Sequence, residues 1–286
     1  MYPVLSITIP TYRRERYLKE LLQSIRLPRD LWETVEIVVS DNASEYNVGE
    51  VIRQLDLPYP ISVHINEENI GATQNFINCV GMARGKYVWI LGDDELLKPD
   101  AVTTVVNRLL SGQDWGLVLL SAENWNSSPP FERAFPDYSQ AVRAVEAVDA
   151  EIPLKQTLLS VVVFRRVDFD YQLAYKKFFS NYGQAFGIFN RAGDRPALVL
   201  SSADPVVIVR EVRAESEELP PRLVATQVRY LKYIARRFNA RNQRKFARKF
   251  LWRNRINFLI DRTLRLWKRI SPSTYRYFQK LYSKKA

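Results

Sequence analysis

Three consecutive acids, Asp93, Asp94 and Glu95, follow an apolar run that begins at Tyr87. Adjacent carboxylates repel one another, and the end of a buried strand adds a desolvation cost. A divalent cation would neutralise these acids, and phosphate oxygens could supply its other ligands. An acidic triplet is also typical of a solvated turn or a helix start, which the following Lys98–Asp100 would suit. The triplet therefore indicates a metal site only if other polar groups meet it.

Polar clusters follow three other predicted strands as well. The strands alternate with the predicted helices Arg16–Ile25, Val48–Leu55 and Gly71–Ala83, which indicates parallel βαβ units in one sheet. In such sheets, ligands bind beyond the carboxyl ends of the strands. The strands and their polar ends are Val4–Tyr12 with Pro10 to Arg14, Val35–Ser44 with Asp41 and Asn42, Ile61–Asn66 with Glu67 to Gly71, and Lys86–Leu91 with the acidic triplet.

Length and composition restrict the protein class. The 286 residues are 47% hydrophobic, enough for one large or two modest packed domains. The single cysteine, Cys79, fits a reducing compartment, and the single histidine, His64, argues against a histidine metal site or a Ser-His triad. We expect no secretory signal, because a strand-like run begins at Val4 without a basic region before it. We expect no membrane-spanning helix, because no apolar run approaches ~18 residues.

The basic charge is concentrated in the C-terminal part of the chain. Residues 222–286 hold 20 Lys and Arg and one acid, whereas residues 1–221 hold 22 basic and 30 acidic residues. No Pro or Gly interrupts residues 226–270, which predicts a long helix, with an apolar stripe over Ile256–Trp267. This pattern favours the surface of an anionic membrane. The alternatives are a helical pair packed on the body or at a dimer interface, and, less favoured, nucleic-acid binding.

The four strand-end clusters together resemble the family 2 glycosyltransferases of the GT-A fold. The resemblance rests on "SITIPTYRR", "EIVVSDNAS", "NEENIGATQNF" and "ARGKYVWILGDDELLKP", covers residues 3–120 and fades through 121–210. It implies an α/β fold of the GT-A type, Rossmann-like, with a mostly parallel central sheet flanked by helices. We expect a GT-A domain over 1–215, with a nucleotide-sugar half at 1–120 and an acceptor half at 121–215. A basic helical tail would follow at 222–286.

The resemblance also implies roles for individual residues. The metal, Mn²⁺ or Mg²⁺, would be held by Asp94 whether the family's acid pair aligns on Gly92 and Asp94 or on Asp93 and Asp94. Asp93 would contact the ribose or the donor sugar, and Glu95 would be an outer-shell group. Asp41 would accept a hydrogen bond from the base, which favours a UDP- or dTDP-type donor. The remaining nucleotide-sugar contacts would come from Pro10, Thr11, Tyr12, Arg14, Asn69, Gly71, Gln74 and Asn75.

The position where the resemblance predicts the catalytic base has no carboxylate in this sequence. The resemblance implies an inverting displacement, in which a carboxylate removes the proton of the acceptor hydroxyl. The positions where relatives carry that base are Asn181 and Tyr182 here, and neither can act as a base at neutral pH. The nearest acids are Asp168 and Asp170, which become the candidates. Glu123 is a weaker alternative, and Arg165 or Arg166 could face the diphosphate.

The resulting hypothesis is a metal-dependent glycosyltransferase acting on a glycan or lipid-linked acceptor in surface polysaccharide synthesis. It would be cytoplasmic and peripheral on the inner face of the cell membrane, and its partners would include further copies of the same chain in a homo-oligomer. A sugar nucleotidyltransferase is one alternative, although "IPTYRRERY" lacks the Gly of the expected phosphate loop. The other is a catalytically silent scaffold bound to a membrane through its tail.

Overall fold

The computed structural model describes residues 2–123, 129–149, 151–155, 159–176, 183–210 and 221–253. The chain divides into two compact units, Met1–Val212 and Arg213–Ala286. The first unit contains the predicted sheet, and the second contains part of the basic tail.

The strands of the first unit are short, and most are buried. β1 and β4 are buried along their whole length, as expected for strands covered on both faces. In chain order the strands are β1 Leu5–Thr11, β2 Val35–Asp41, β3 Ser62–Ile65, β4 Tyr87–Ile90, β5 Leu96–Leu97, β6 Leu117–Leu119, β7 Ala122–Glu123, β8 Arg133–Phe135, β9 Val162–Arg165, β10 Ala197–Val199 and β11 Val207–Ile208.

Eight of these strands form the main sheet, in the order β3-β2-β1-β4-β9-β6-β10-β8. Strands β3, β2, β1 and β4 are mutually parallel, and β6 is parallel to β10. β9 lies between β4 and β6 and is antiparallel to both, and β8 is antiparallel to β10. The predicted α/β class with a mostly parallel sheet is therefore confirmed.

Amphipathic helices cover the main sheet. Helix α3 contacts β1, β2 and β4, and α5 contacts β8 and β10. Helix α1 buries Leu18, Leu21 and Leu22 and contacts α2, which the Asn47 side chain caps. The helices of this unit are α1 Glu15–Ser24, α2 Val48–Arg53, α3 Ala72–Met82, α4 Ala101–Leu109, α5 Tyr138–Val148, α6 Ile152–Lys155, α7 Tyr171–Lys176 and α8 Gly183–Ala192.

The strand directions define two edges of the main sheet. We call the edge where β1, β2, β3 and β4 end the carboxyl edge, and the edge where they begin the amino edge. Because β9 runs antiparallel to β4, its last residue, Arg165, pairs with Tyr87 at the start of β4. Residues that follow β9 therefore leave the sheet at the amino edge.

A second, three-stranded sheet has the order β5-β11-β7. β11 is antiparallel to β5, with Val207 opposite Leu97 and Ile208 opposite Leu96. The same register brings Arg210 opposite Asp94. This sheet was not predicted, because its three strands have only two residues each and show no periodicity in the sequence.

The second unit contains helices α9 Pro221–Arg237 and α10 Arg241–Arg253, which pack against each other. The prediction of one uninterrupted helix is wrong at this point, because Asn239 has a φ of 51°, in the left-handed region that ends a helix. The predicted stripe over Ile256–Trp267 lies outside the described residues. Within the described ranges, no helix is both long and apolar enough to cross a membrane.

Candidate active site

The acidic triplet lies at the carboxyl edge, directly after β4. The side chain of Asp93 is buried, whereas that of Asp94 is 25% exposed. Thr11 Oγ1, at the end of β1, donates to Asp93 Oδ2 at 2.8 Å. Arg14 Nη1 donates to Asp93 Oδ1 at 3.0 Å and to Asp94 Oδ2 at 2.7 Å. The first and fourth strand ends therefore meet in one cluster, as the sequence predicted.

The cluster holds more carboxyl groups than the bridging guanidinium of Arg14 can balance. Burial raises the pKa of Asp93 against the opposing hydrogen bond from Thr11 and the charge of Arg14. Burial, reinforced by the charge of Asp94, raises the pKa of Glu95 to about 8. Glu95 Oε2 is buried and has no hydrogen-bond partner among the described residues. An additional cation would relieve both the repulsion and the unpartnered oxygen.

The residues present fit a divalent cation that is shared with a ligand. In the described part of the chain, no three His, Cys, Asp or Glu side chains converge on one possible metal position. Mg²⁺ is usually held by one or two carboxylates together with substrate phosphates rather than by a complete protein cage. Asp93 and Asp94 supply such a donor set. A Cβ atom at position 92 would come within 2.9 Å of Asp94 Oδ1, so Gly92 leaves room for the Asp94 carboxylate in this position.

Arg210 is a charged residue of this site that sequence reasoning missed. Its Nε donates to the backbone oxygen of Asp94, its Nη1 pairs with Glu20, and its guanidinium lies over the Tyr17 ring at 4.9 Å. The pairing of β11 with β5 brings Arg210 to the site, and the sequence alone does not show this pairing. The predicted alternatives, Arg165 and Arg166, are at the amino edge, where Arg166 Nε donates to the Gly85 carbonyl.

An amide network holds the second and third strand ends together. Asn42 Oδ1 accepts from Asn66 Nδ2 at 3.1 Å and from the Ile70 backbone at 3.0 Å, and Asn42 Nδ2 donates to Asn69 Oδ1 at 2.7 Å. Asn66 also donates to Asn75 Oδ1 at 3.1 Å. Among the predicted residues, Asn69 and Asn75 belong to this network. Asn42 and Asn66 were missed as site residues, although both stand at strand ends.

The other predicted nucleotide contacts surround this network. Asp41 is buried and accepts from the Ser44 backbone and hydroxyl, so it shapes the turn after β2. Pro10 is buried in β1, and Tyr12 is partly exposed just after it. Gly71 has a φ of 84°, a conformation that favours glycine, at the start of α3. These residues all lie at the carboxyl edge, and their contact with a nucleotide stays a prediction.

Both predicted bases form structural contacts. Asp168 follows β9 at the amino edge and forms ion pairs with Arg195 at 2.7 Å and Arg165 at 3.5 Å. Asp170 caps α7 by accepting from the Leu173 backbone at 2.9 Å, and Asn190 Nδ2 donates to it at 2.7 Å. Asp168 lies at the edge opposite the acidic triplet, which argues against it as the base. The contacts of Asp170 cap a helix and leave its role as base a prediction.

The remaining positions considered for the base are Glu123, Asn181 and Tyr182. Glu123 lies in β7 and pairs with Lys98 at 2.5 Å. Asn181 and Tyr182 lie outside the described residues.

Comparison with known proteins finds matches to glycosyltransferases. Residues 6–136 match the model of the glycosyl transferase family 2 domain. A segment of 113 residues is 37% identical to abequosyltransferase RfbV of Salmonella typhimurium, covering 39% of this chain and 34% of that protein. Another of 112 residues is 28% identical to the GalNAc(5)-diNAcBac-PP-undecaprenol beta-1,3-glucosyltransferase of Campylobacter jejuni, covering 38% of this chain and 36% of the relative. The matched segments thus span about a third of these relatives.

Solved structures share the fold at low sequence identity. Residues 1–349 of S. aureus TarS in complex with UDP-GlcNAc align with a TM-score of 0.57 and 16% identity, over 82% of this chain and 67% of that one. The mannosyltransferase PcManGT from Pyrobaculum calidifontis, in complex with GDP-Man and Mn²⁺, aligns with a TM-score of 0.56 and 17% identity, over 99% and 85%.

The sheet order and the acidic carboxyl edge define a GT-A type fold. Within that class, residues 6–136 match the model of glycosyl transferase family 2, in agreement with the sequence resemblance.

Proposed function

We propose that this protein is a metal-dependent, inverting glycosyltransferase. It would move a sugar from a nucleotide-diphospho sugar to a glycan or polyprenyl-linked acceptor in surface polysaccharide synthesis. The observation that carries the proposal is the excess of carboxyl groups over cations where β1 and β4 end. Arg14 bridges Asp93 and Asp94, Arg210 pairs with Glu20, and Glu95 has no ion pair within the described residues. Such an edge is suited to a divalent cation and a diphosphate together.

Each residue of the site has a defined task in this proposal. Asp94 and Asp93 would hold the cation, and Thr11 fixes the rotamer of Asp93 through its hydrogen bond. The bound cation would supply positive charge to the departing diphosphate. Arg14 would add a second positive charge there, and the amide network around Asn42 would hold the nucleotide loop in place. No described residue is assigned as the base.

The donor is proposed by class only. Asp41 favours a base with an acidic N–H, such as uracil or thymine, and hence a UDP- or dTDP-sugar. The structural neighbours named above contain UDP-GlcNAc and GDP-Man respectively. A uridine or thymidine carrier is therefore the first to test, and guanosine and cytidine carriers complete the panel.

The tail supports a location at an anionic membrane surface. Residues 221–253 contain no Asp or Glu. On α10, the side chains Arg241, Lys245, Arg248 and Lys249 are exposed along one stripe, and Trp252, 70% exposed, continues it. Each basic residue near an anionic surface adds about 1 kcal/mol of binding energy. One relative named above is a transferase for an undecaprenol-linked acceptor, which is a membrane lipid.

Nucleoside diphosphate release tests the proposed transfer. The full chain would be incubated with UDP-, dTDP-, GDP- and CDP-sugars, with Mn²⁺, with Mg²⁺ or with EDTA, and with polyprenyl-diphosphate oligosaccharides as acceptors. We expect metal-dependent release of one nucleoside diphosphate together with a lengthened acceptor. Release of inorganic pyrophosphate from sugar phosphate and nucleoside triphosphate would instead identify a nucleotidyltransferase. No turnover of any donor would support the silent scaffold.

Co-sedimentation with liposomes tests the membrane surface separately. We expect binding to phosphatidylglycerol vesicles, little binding to phosphatidylcholine vesicles, and loss of binding in the variant K245E/R248E/K249E. The matched control R26E/R29E/R53E changes the charge equally at exposed sites of the first unit. Equal loss in both variants would show a general charge effect, and stronger binding to nucleic acid than to vesicles would contradict the membrane role.

A further inference from the structure

Arg14 and the proposed cation compete for the same carboxylate oxygens. One guanidinium nitrogen, Nη1, donates to Asp93 Oδ1 and Asp94 Oδ2. Charge-assisted hydrogen bonds of this kind are about twice as strong as neutral ones. Both carboxylates lie in a partly desolvated place, since their side chains are 7% and 25% exposed. A cation that binds them must first displace Arg14 or accept its positive charge as a close neighbour.

We propose that Arg14 is an internal counter-ion that excludes free divalent cations, so that the metal enters only with a nucleoside diphosphate. This inference rests on the proposed function and adds an order of binding to it. Without nucleotide, Arg14 bridges Asp93 and Asp94. With nucleotide, the guanidinium turns to the phosphates and leaves both carboxylates to the metal.

The environment of Arg14 permits this exchange. Its side chain is 44% exposed, and no other hydrogen bond or ion pair holds it within the described residues. Arg14 stands just before α1, so the side chain can turn without disturbing a helix or a strand. Asp93, in contrast, is held by Thr11 and cannot follow.

A diphosphate is a better partner for Arg14 than the two carboxylates are. The planar guanidinium forms parallel hydrogen bonds to phosphate oxygens, whereas one nitrogen now serves both acids. Binding of nucleotide therefore raises the affinity for the metal. By thermodynamic linkage, the metal raises the affinity for the nucleotide by the same factor.

Mn²⁺ binding, measured by electron paramagnetic resonance, tests the inference without turnover. The full chain would be titrated with MnCl₂ alone and with MnCl₂ plus UDP, dTDP, GDP or CDP. We expect the wild type to bind Mn²⁺ weakly alone and about tenfold or more tightly with its preferred nucleotide. Arg14→Gln should bind Mn²⁺ alone about tenfold more tightly than the wild type does, because the carboxylates have lost their competitor.

Two further variants separate the exchange from general electrostatics. Arg14→Lys keeps the charge and should bind Mn²⁺ alone as weakly as the wild type. Arg13→Gln removes the same charge one residue away, from a side chain that pairs with Glu45, and should also resemble the wild type. A thermal shift adds a second readout: Arg14→Gln should melt lower than the wild type without metal and gain more from Mn²⁺ alone.

Two results overturn the inference, and they are distinguishable. If the wild type binds Mn²⁺ with a nucleotide but Arg14→Gln binds Mn²⁺ alone no more tightly, the counter-ion role fails and the proposed function stands. If neither protein binds Mn²⁺ with any of the four nucleotides, the proposed function fails and the inference fails with it.

Discussion

Both edges of the main sheet carry clusters of acidic and basic side chains. The cluster at the amino edge has more cations than carboxylates, and the cluster at the carboxyl edge has fewer. At the amino edge, Asp114 forms ion pairs with Lys86 at 2.8 Å, Arg165 at 3.3 Å and Arg195 at 3.4 Å. Asp168 shares two of these cations. The hydrogen bond from Lys86 and the nearby charges hold the pKa of Asp114 below its usual range, against its desolvation. Every carboxylate of this cluster is therefore compensated.

At the carboxyl edge, one arginine bridges two of the three carboxylates of the acidic triplet. Asp93 and Asp94 both pair with Arg14, and Glu95 forms no ion pair within the described residues. Burial raises the pKa of Asp93 and of Glu95. This difference indicates that an acidic cluster with too few cations is a binding site for a ligand, whereas an acidic cluster whose charges are all paired stabilises the fold.

The largest effect that follows from this contrast is expected at Asp94. Replacement of Asp94 by Asn removes a negative ligand while keeping the shape, so transfer should fall on the order of 10³-fold. Nucleoside diphosphate release measures the change, and circular dichroism checks the fold. Activity close to that of the wild type would refute the proposed metal ligand.

A smaller effect is expected at Arg210, which positions Asp94 without contacting its carboxylate. Arg210→Gln frees the Asp94 backbone oxygen and should lower kcat about tenfold, with a smaller change in KM. Arg16→Gln is the matched control, because Arg16 pairs with the same Glu20 but lies far more exposed and makes no contact with Asp94. Equal losses in the two variants would assign the effect to Glu20 rather than to Asp94.

A similar or smaller effect, on nucleotide affinity, is expected when the amide network is disrupted. Asn42→Ala removes the acceptor for the Ile70 backbone and for Asn66, so nucleotide affinity should fall about fivefold to tenfold. Isothermal titration with the preferred nucleoside diphosphate measures it. Asn47→Ala, which removes only the cap of α2, should lower stability by about 1 kcal/mol and leave nucleotide affinity unchanged. The network has no binding role if Asn42→Ala behaves in the same way.

The smallest effect on transfer is expected at the amino edge. Asp168→Asn removes one of the two carboxylates that Arg195 and Arg165 share and should lower the free energy of unfolding by about 1–3 kcal/mol. Activity per folded molecule should stay unchanged, because the site lies at the opposite edge. Chemical denaturation and donor turnover on the same preparation separate the two quantities. A stable but inactive Asp168→Asn protein would restore Asp168 as a candidate base.

The sequence predicted the carboxyl edge because its residues follow consecutive parallel strands. In βαβ units, strand ends meet at one edge whatever the details of packing, so the places of Thr11, Asp41 and Asp93 could be read in advance. The fold class and the resemblance to family 2 were predicted for the same reason. The fold class is confirmed, and residues 6–136 match the family model.

The later part of the chain could not be read in this way. The direction of β9 is set by its two neighbours in the sheet rather than by its own residues, and it sends Asp168 to the amino edge. Arg210 reaches the site through strands of two residues, which are too short to show periodicity. The helix break at Asn239 is a single left-handed residue, which summed helix propensities do not reveal.

Diffraction from crystals grown with Mn²⁺ and the preferred nucleoside diphosphate tests the central claim most directly. Anomalous scattering locates the metal independently of the protein density. The account predicts a single strong peak within roughly 2.5 Å of an Asp94 carboxylate oxygen, with phosphate oxygens as further ligands. A peak elsewhere, or a diphosphate bound with the Asp94 side chain turned into solvent, would contradict it.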